Sequence, residues 1–326
     1  MAKAKSRIKP LDPSKLRTTS LRKSRRIVDR EAFARPWQPG RKFSEFIVGL
    51  PDILAAKDFR RVVTAVVQAQ RRGRPVILAL GAHVIKVGLS PVVIDLMRRG
   101  VVTGLALHGA GAVHDFEVAY AGKTSEDVAA TLEDGSFGAT RETAIALNLA
   151  AELCLIRKMG LGQAIGEMIA KAKLPHARLS LLAQAAKLGI PATVHVALGT
   201  DTVHMHPSAN GAAIGQGSLY DFRLFAGMVA KLEGGVYFNV GSAVILPEVF
   251  LKALSLARNL GHPVQRFTAV NLDFLQHYRP RTNVTGRPVA HGGQGIALTG
   301  HHEILFPLLA AAILEGLDQT KRKKTK

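Results

Sequence analysis

The sequence predicts an α/β domain built on a mostly parallel sheet with helices on both faces. Apolar runs at about 75–80, 101–107, 192–198, 235–240 and 267–273 alternate with segments of helical periodicity, the pattern of strands joined by crossover helices. Within each run the apolar residues are nearly continuous rather than alternating, as in strands covered on both faces. Hydrophobic residues make up 47% of the 326 while aromatics supply only 6%, so Val, Ala, Leu and Gly fill the core of one large domain.

The chain begins with a basic leader, expected to be disordered over residues 1–40. Residues 1–30 carry eleven Lys or Arg against Asp12 and Asp29, and Lys321–Lys326 adds five more, so most of the net charge of +20 belongs to the two ends. Such ends bind nucleic acid or other polyanions without specificity; neither has the interleaved aromatics of a single-strand platform. Between them, residues 41–318 read as one α/β domain, with 319–326 a basic tail. The single cysteine, Cys154, excludes an internal disulfide and sits in a helical pattern as a buried thiol. No run reaches the ~18 apolar residues of a membrane span, and the expected location is cytoplasmic.

Along the domain, Pro36-Trp37-Gln38-Pro39-Gly40 reads as a linker or docking segment. A helix at about 57–72 follows, with Phe59, Val62, Val63, Val66 and Val67 on one face. The first strand ends at Gly81-Ala82-His83 and leads to a helix at about 89–99. The second ends at His108-Gly109-Ala110-Gly111, where small residues let backbone N–H groups approach a phosphate. Helices at about 141–157, 160–172 and 178–188 precede the third strand, the first two as an insertion over one sheet edge. That strand runs into Gly199-Thr200-Asp201 and then His204 and His206, and Gly217–Asp221 opens a helix to about 232. The fourth and fifth strands deliver Asn239, Gly241, Ser242, Asn271 and Asp273. Pro247 and Pro307 sit near the starts of helices at 247–258 and 303–316. His291-Gly292-Gly293-Gln294-Gly295 reads as a flap or connection, and all these strand ends are expected on one side of the sheet. There is no Walker A motif, no nucleophile elbow and no G-x-G-x-x-G.

Taken in order, these strand ends resemble deoxyhypusine synthase, a family that uses NAD to transfer an aminobutyl group from spermidine to a lysine of a translation factor. Gly81-Ala82-His83 stands where the family has Thr-Ser-Asn, and His108–Asp115 where it has Thr-Thr-Ala-Gly-Gly-Val-Glu-Glu-Asp. Thr200-Asp201 and Gly217-Ser218-Leu219-Tyr220-Asp221 look like a split Thr-Asp-Gly-Ser-Leu-Gly-Asp. Gly286-Arg287-Pro288 and Leu305-Phe306-Pro307-Leu308-Leu309 look like Ala-Arg-Pro and Val-Phe-Pro-Leu-Leu. The resemblance covers about residues 75–312. It implies a Rossmann-type NAD-binding architecture and a homo-oligomer, tetrameric in the family. It places Gly81, His83, Gly109, Ala110, Gly111, Asp115, Asp201 and Asn271 around the cofactor. His204, His206, Asp221, His291 and Gln294 then face a small-molecule substrate as catalytic candidates.

The transfer machinery is absent. The family's Ser-Trp-Gly-Lys supplies the lysine that forms an imine, whereas here no lysine lies between Lys252 and Lys321 and the only tryptophan is Trp37. The matching stretch is Val289–Ile296, and Gln294 cannot form a Schiff base. The family's Gly-Gly-Gly-Val-Val-Lys-His-His becomes Val240–Pro247. The expectation is an NAD-like nucleotide-binding enzyme of imine or hydride chemistry that does not make deoxyhypusine. Two alternatives stand beside it: a nucleotide-binding protein without turnover, tethered to nucleic acid by its basic ends, and a metal-dependent hydrolase built on His204, His206 and Asp201. No metal site is assigned.

Overall fold

The computed structural model describes residues 8–324, with side chains to residue 318. Six strands form one sheet: β1 (Val76–Leu80), β2 (Gly104–His108), β3 (Ala192–His195), β4 (Val236–Val240), β5 (Thr268–Asp273) and β6 (Gln294–Thr299). Their spatial order is β3-β2-β1-β4-β5-β6, and every pairing is parallel. The chain therefore builds outward from β1 through β2 to β3, then returns to the other side of β1 and builds outward again. At that reversal, between β1 and β4, connections leave in opposite directions and a crevice opens beyond the carboxyl ends.

The helices are α1 (Phe43–Gly49), α2 (Leu54–Arg71), α3 (His83–Lys86), α4 (Ser90–Arg98), α5 (Gly109–Ala121), α6 (Val128–Thr131), α7 (Arg141–Arg157), α8 (Leu161–Lys171), α9 (Leu181–Leu188), α10 (Gly211–Val229), α11 (Ile245–Asn259), α12 (Tyr278–Asn283) and α13 (His302–Lys324). They cover both faces, as expected. β1 shows why: all five of its residues are buried, and alternate side chains feed two different cores. Val76, Leu78 and Leu80 join α2, α4, α5, α8, α9 and α13, whereas Ile77 and Ala79 join α10 and α11. On the second face the Tyr237 ring stacks on Phe250 at 3.7 Å between centroids.

Several elements depart from the sequence expectation. The 291–295 stretch, expected to be a flap or a connection, runs into the last strand, β6, which alternates exposed and buried residues because only one of its faces is covered. Gly109-Ala110-Gly111 is not a loop: α5 begins directly after His108, and Ala112, Val113, Phe116 and Ala119 bury one side of it. α10 begins at Gly211, where the Asn210 side chain accepts from the N–H groups of Ala212 and Ala213. Gly217–Asp221 consequently lies inside that helix instead of opening it. Pro247 falls in the first turn of α11, while Pro307 lies in the second turn of α13.

α8 packs beside the edge strand β3, and α7 packs on α8 and α10. Of the leader, residues 8–40 hold only two short 3-10 turns and are almost entirely exposed; residues 1–7 lie outside the described residues. The backbone of α13 continues through Lys324, and residues 325–326 of the expected tail lie outside the described ones.

Candidate active site at the carboxyl ends of the strands

The connections leaving β1, β4 and β5 pack tightly together. Gly81 donates its N–H to Val240 O at 2.8 Å. A Cβ on Gly81 would sit 2.0 Å from Gly241 O, so the glycine is there to let two loops touch. Against Gly241 lies His302, the first residue of α13, which is fully buried. Its Nε2 donates to Leu272 O at 3.3 Å and stands 3.8 Å from Asp273 Oδ1, while Nδ1 has no partner. That pattern assigns the neutral Nε2–H tautomer and leaves Nδ1 with a bare lone pair. Burial pulls its pKa below the usual histidine value, against the opposing pull of Asp273. The half-buried His83, at the start of α3, faces it with ring centroids 5.4 Å apart, and Phe274 packs edge-on to both rings. A buried, neutral imidazole beside a carboxylate, next to a second, accessible imidazole, is equipped to take and hand on a proton.

Beneath this cluster runs a chain of amides. Asn239 Nδ2 donates to Ser242 O and to Asn271 Oδ1, Asn271 donates to Gln276, and Gln276 donates to Leu298 O. Asn271, expected at the cofactor, is instead a fully buried stitch between the ends of β4, β5 and β6.

The expected phosphate cradle at α5 is filled by the protein itself. Asp201 is buried, and its carboxylate lies over the first turn of α5: a Cβ on Gly109 would be 1.8 Å from Asp201 Oδ2. Burial raises its pKa; His204, the Ala110 N–H and His114 oppose the rise. His204 holds the loop shut, its Nδ1 accepting from the N–H groups of Gly199 and Asp201. Gly111 packs on Leu107. The residues at this helix end therefore do not fit a pyrophosphate as they stand, because a carboxylate already takes the place of the anion.

Other candidates lie away from these strand ends. Asp115 is fully buried on α5 and accepts from Ser180 Oγ, Leu181 N and Leu182 N, capping α9. Asp221 accepts from Gly162 N and Val194 N, joining α8 to the edge of β3, and burial lifts its pKa to about 7. Both buried carboxylates tie elements of the fold together. Gln294 is level with Thr268 at the amino end of the sheet, and His291 precedes it; both stand at the opposite edge from the site, because the stretch expected to follow a strand in fact enters one. His206 is half-buried and closes a local turn with Ser208. Among the described residues no three His, Cys, Asp or Glu side chains gather closely enough to hold a metal ion, so the hydrolase alternative lacks a ligand set there. His302 is not among the site residues expected from the sequence, where His301-His302-Glu303 lacks the spacing of a helical zinc site; its signal is a His-His pair immediately before an apolar helix.

The strand order and the two-sided helical cover define the class: a doubly wound, all-parallel α/β fold of Rossmann type. Among solved structures, a conserved LOR/SDH-type protein from Methanococcus maripaludis S2 matches 83% of this chain and 71% of its own, at 15% identity and TM-score 0.50. AgrE, solved with ornithine and NAD+, matches 83% of this chain at 13% identity and TM-score 0.50, and this chain spans 34% of AgrE. A protein from Entamoeba histolytica assigned as a deoxyhypusine synthase matches over 86% and 96% at 12% identity and TM-score 0.47. No family model and no curated protein matches the sequence.

Proposed function

We propose that this chain is an enzyme acting on a small molecule at the carboxyl ends of β1, β4 and β5, with His302 and His83 as its acid–base pair, and that it does not make deoxyhypusine. The carrying observation is the unpartnered, buried Nδ1 of His302 beside Asp273 and His83. Leaving such a group unsatisfied costs about 1–3 kcal/mol, a cost that a proton-transfer role accounts for. His83 is the half-buried, more accessible member, suited to exchange protons with substrate or solvent, while Asp273 orients its neighbour. NAD binding is supported by fold likeness to AgrE, but the α5 end is closed by Asp201, so no step is assigned to a dinucleotide.

A thermal-shift screen of small metabolites and NAD tests this reading, together with mass spectrometry of molecules carried through purification. A ligand that stabilises the native chain but not His83→Ala is expected; equal shifts for both would sink the assignment. Incubation with spermidine, NAD and an acceptor protein is expected to leave the acceptor lysine unlabelled, and a labelled lysine overturns that part. Self-association is proposed through the outer face of α7, where Ile145, Leu149 and Ile156 are exposed along one stripe. Light scattering on the native chain and on Ile145→Lys/Leu149→Lys checks it, with dissociation of the variant expected.

A further inference from the structure

At the opposite end of the sheet from these histidines, a cavity of about 540 Å3 lies between α2 and the loops that enter β5 and β6. Its walls are basic. Lys57, Arg61 and Arg72 come from the α2 side and Arg266 from the facing loop, and all four are exposed. Arg61 divides itself between Asp58 at 2.8 Å and Gln294 Oε1 at 3.4 Å, spanning the groove, and Arg266 pairs with Glu233. Lys57 and Arg72 have no carboxylate within ion-pair distance among the described residues. Arg60, by contrast, turns inward to the carbonyls of Leu50 and Pro51 and to Asp52, which fixes the start of α2.

The leader ends beside this groove. Asp52, one of its lining residues, donates its N–H to Ala32 O, and Arg35 N–H donates to Gly49 O, both at 2.8 Å. The exposed Arg22, Lys23, Arg25, Arg26 and Arg30 precede that junction in the chain.

We propose that the groove and the leader form one surface for the phosphodiester backbone of a nucleic acid. A concave trough lined by cations suits a strand of phosphates better than a flat membrane surface. Its only aromatic lining residue, Phe267, is buried, so nothing is offered for base stacking and recognition is independent of sequence. The inference is separate from the strand-end chemistry and survives if that reading fails.

The test is fluorescence anisotropy of the full chain with labelled RNA and duplex DNA of about 20 nucleotides over a salt series. The comparison variant is Lys57→Glu/Arg72→Glu, whose native side chains hold no ion pair among the described residues. Native binding is expected to weaken steeply with salt. The variant is expected to bind about tenfold more weakly at ~0.1 M salt with a log–log slope shallower by about 1.4–1.8, since each phosphate contact contributes ~0.7–0.9. Unchanged melting shows that the variant is folded. Absence of native binding overturns the proposal. So does a variant that binds like the native chain while Arg25→Glu/Arg26→Glu abolishes binding, because the leader then acts alone. Binding to anionic phospholipid vesicles without binding to either nucleic acid overturns it in favour of a membrane.

Discussion

Two buried carboxylates and two buried imidazoles set opposing pH dependences. Burial raises Asp115 to about 6 and Asp221 to about 7, above the unfolded value near 4. Their stabilising share is complete below pH 4 and is lost as pH rises through those values. Burial lowers His108 to about 4 and His195 to about 3; their share is present above the unfolded value near 6.5 and is lost as pH falls. The neutral form of His108 is used directly, since its Nε2 accepts from Ala82 N at 3.2 Å. Between about pH 4.5 and 7 the two sets nearly cancel, because the unfolded histidines still bind protons until pH has passed well above 6.5 while Asp115 and Asp221 hold theirs in the folded chain. Melting temperature is therefore expected to be nearly flat across that window. Asp221→Asn removes one of the opposing slopes, so the variant's melting temperature is expected to rise with pH between about 5 and 6.5. Asp221→Ala leaves buried N–H groups on α8 and β3 without an acceptor and is expected to cost about 3 kcal/mol in denaturant unfolding. From the sequence both aspartates read as neighbours of strand ends, because a lone Asp carries no sign of which backbone N–H groups it caps.

Among the elements, the strand-to-helix junctions were legible as positions and opaque as contacts. The turns after β1 and β2 stood out by their small residues, yet those residues serve internal packing: Gly81 meets Gly241, and Gly109 meets Asp201. Gly81→Ala is accordingly expected to destabilise by about 3 kcal/mol, since its neighbour is backbone that cannot rotate away. Asp201→Ala removes the carboxylate from α5, so a loss of about 1 kcal/mol in stability is expected, together with tighter binding of NAD or inorganic phosphate by calorimetry. Weaker binding would mean that Asp201 contacts the ligand instead of excluding it. α5 itself was missed because two glycines cost ~1 kcal/mol each relative to alanine in a helix, a local penalty that burial of Val113 and Phe116 outweighs. β6 was missed because the sequence sought continuous apolar runs, and an edge strand covered on one face alternates.

For the molecule as a whole, composition and the alternation of strands and helices foretold the α/β class. Strand order is not a local property, and it is what separates the histidine cluster from the basic groove. Gln294 illustrates this: in the sequence it belongs with the strand ends, but in space it lies across the sheet from His302. The two ends should behave independently. His83→Ala combined with Lys57→Glu/Arg72→Glu is expected to show additive effects on melting, with a coupling below about 0.5 kcal/mol in a double-mutant cycle.

The central place of β1 also bears on how the chain is made. β1 pairs with β2 soon after it emerges, but its other neighbour, β4, begins only at Val236. Residues 81–235 lie between them, roughly 8–30 s of synthesis at ~5–20 residues per second. For that interval one edge of Val-Ile-Leu-Ala-Leu has no native strand beside it, an invitation to wrong pairing on the ribosome. A nascent chain stalled before Val236 should therefore recruit chaperones, and one stalled after β6 should not.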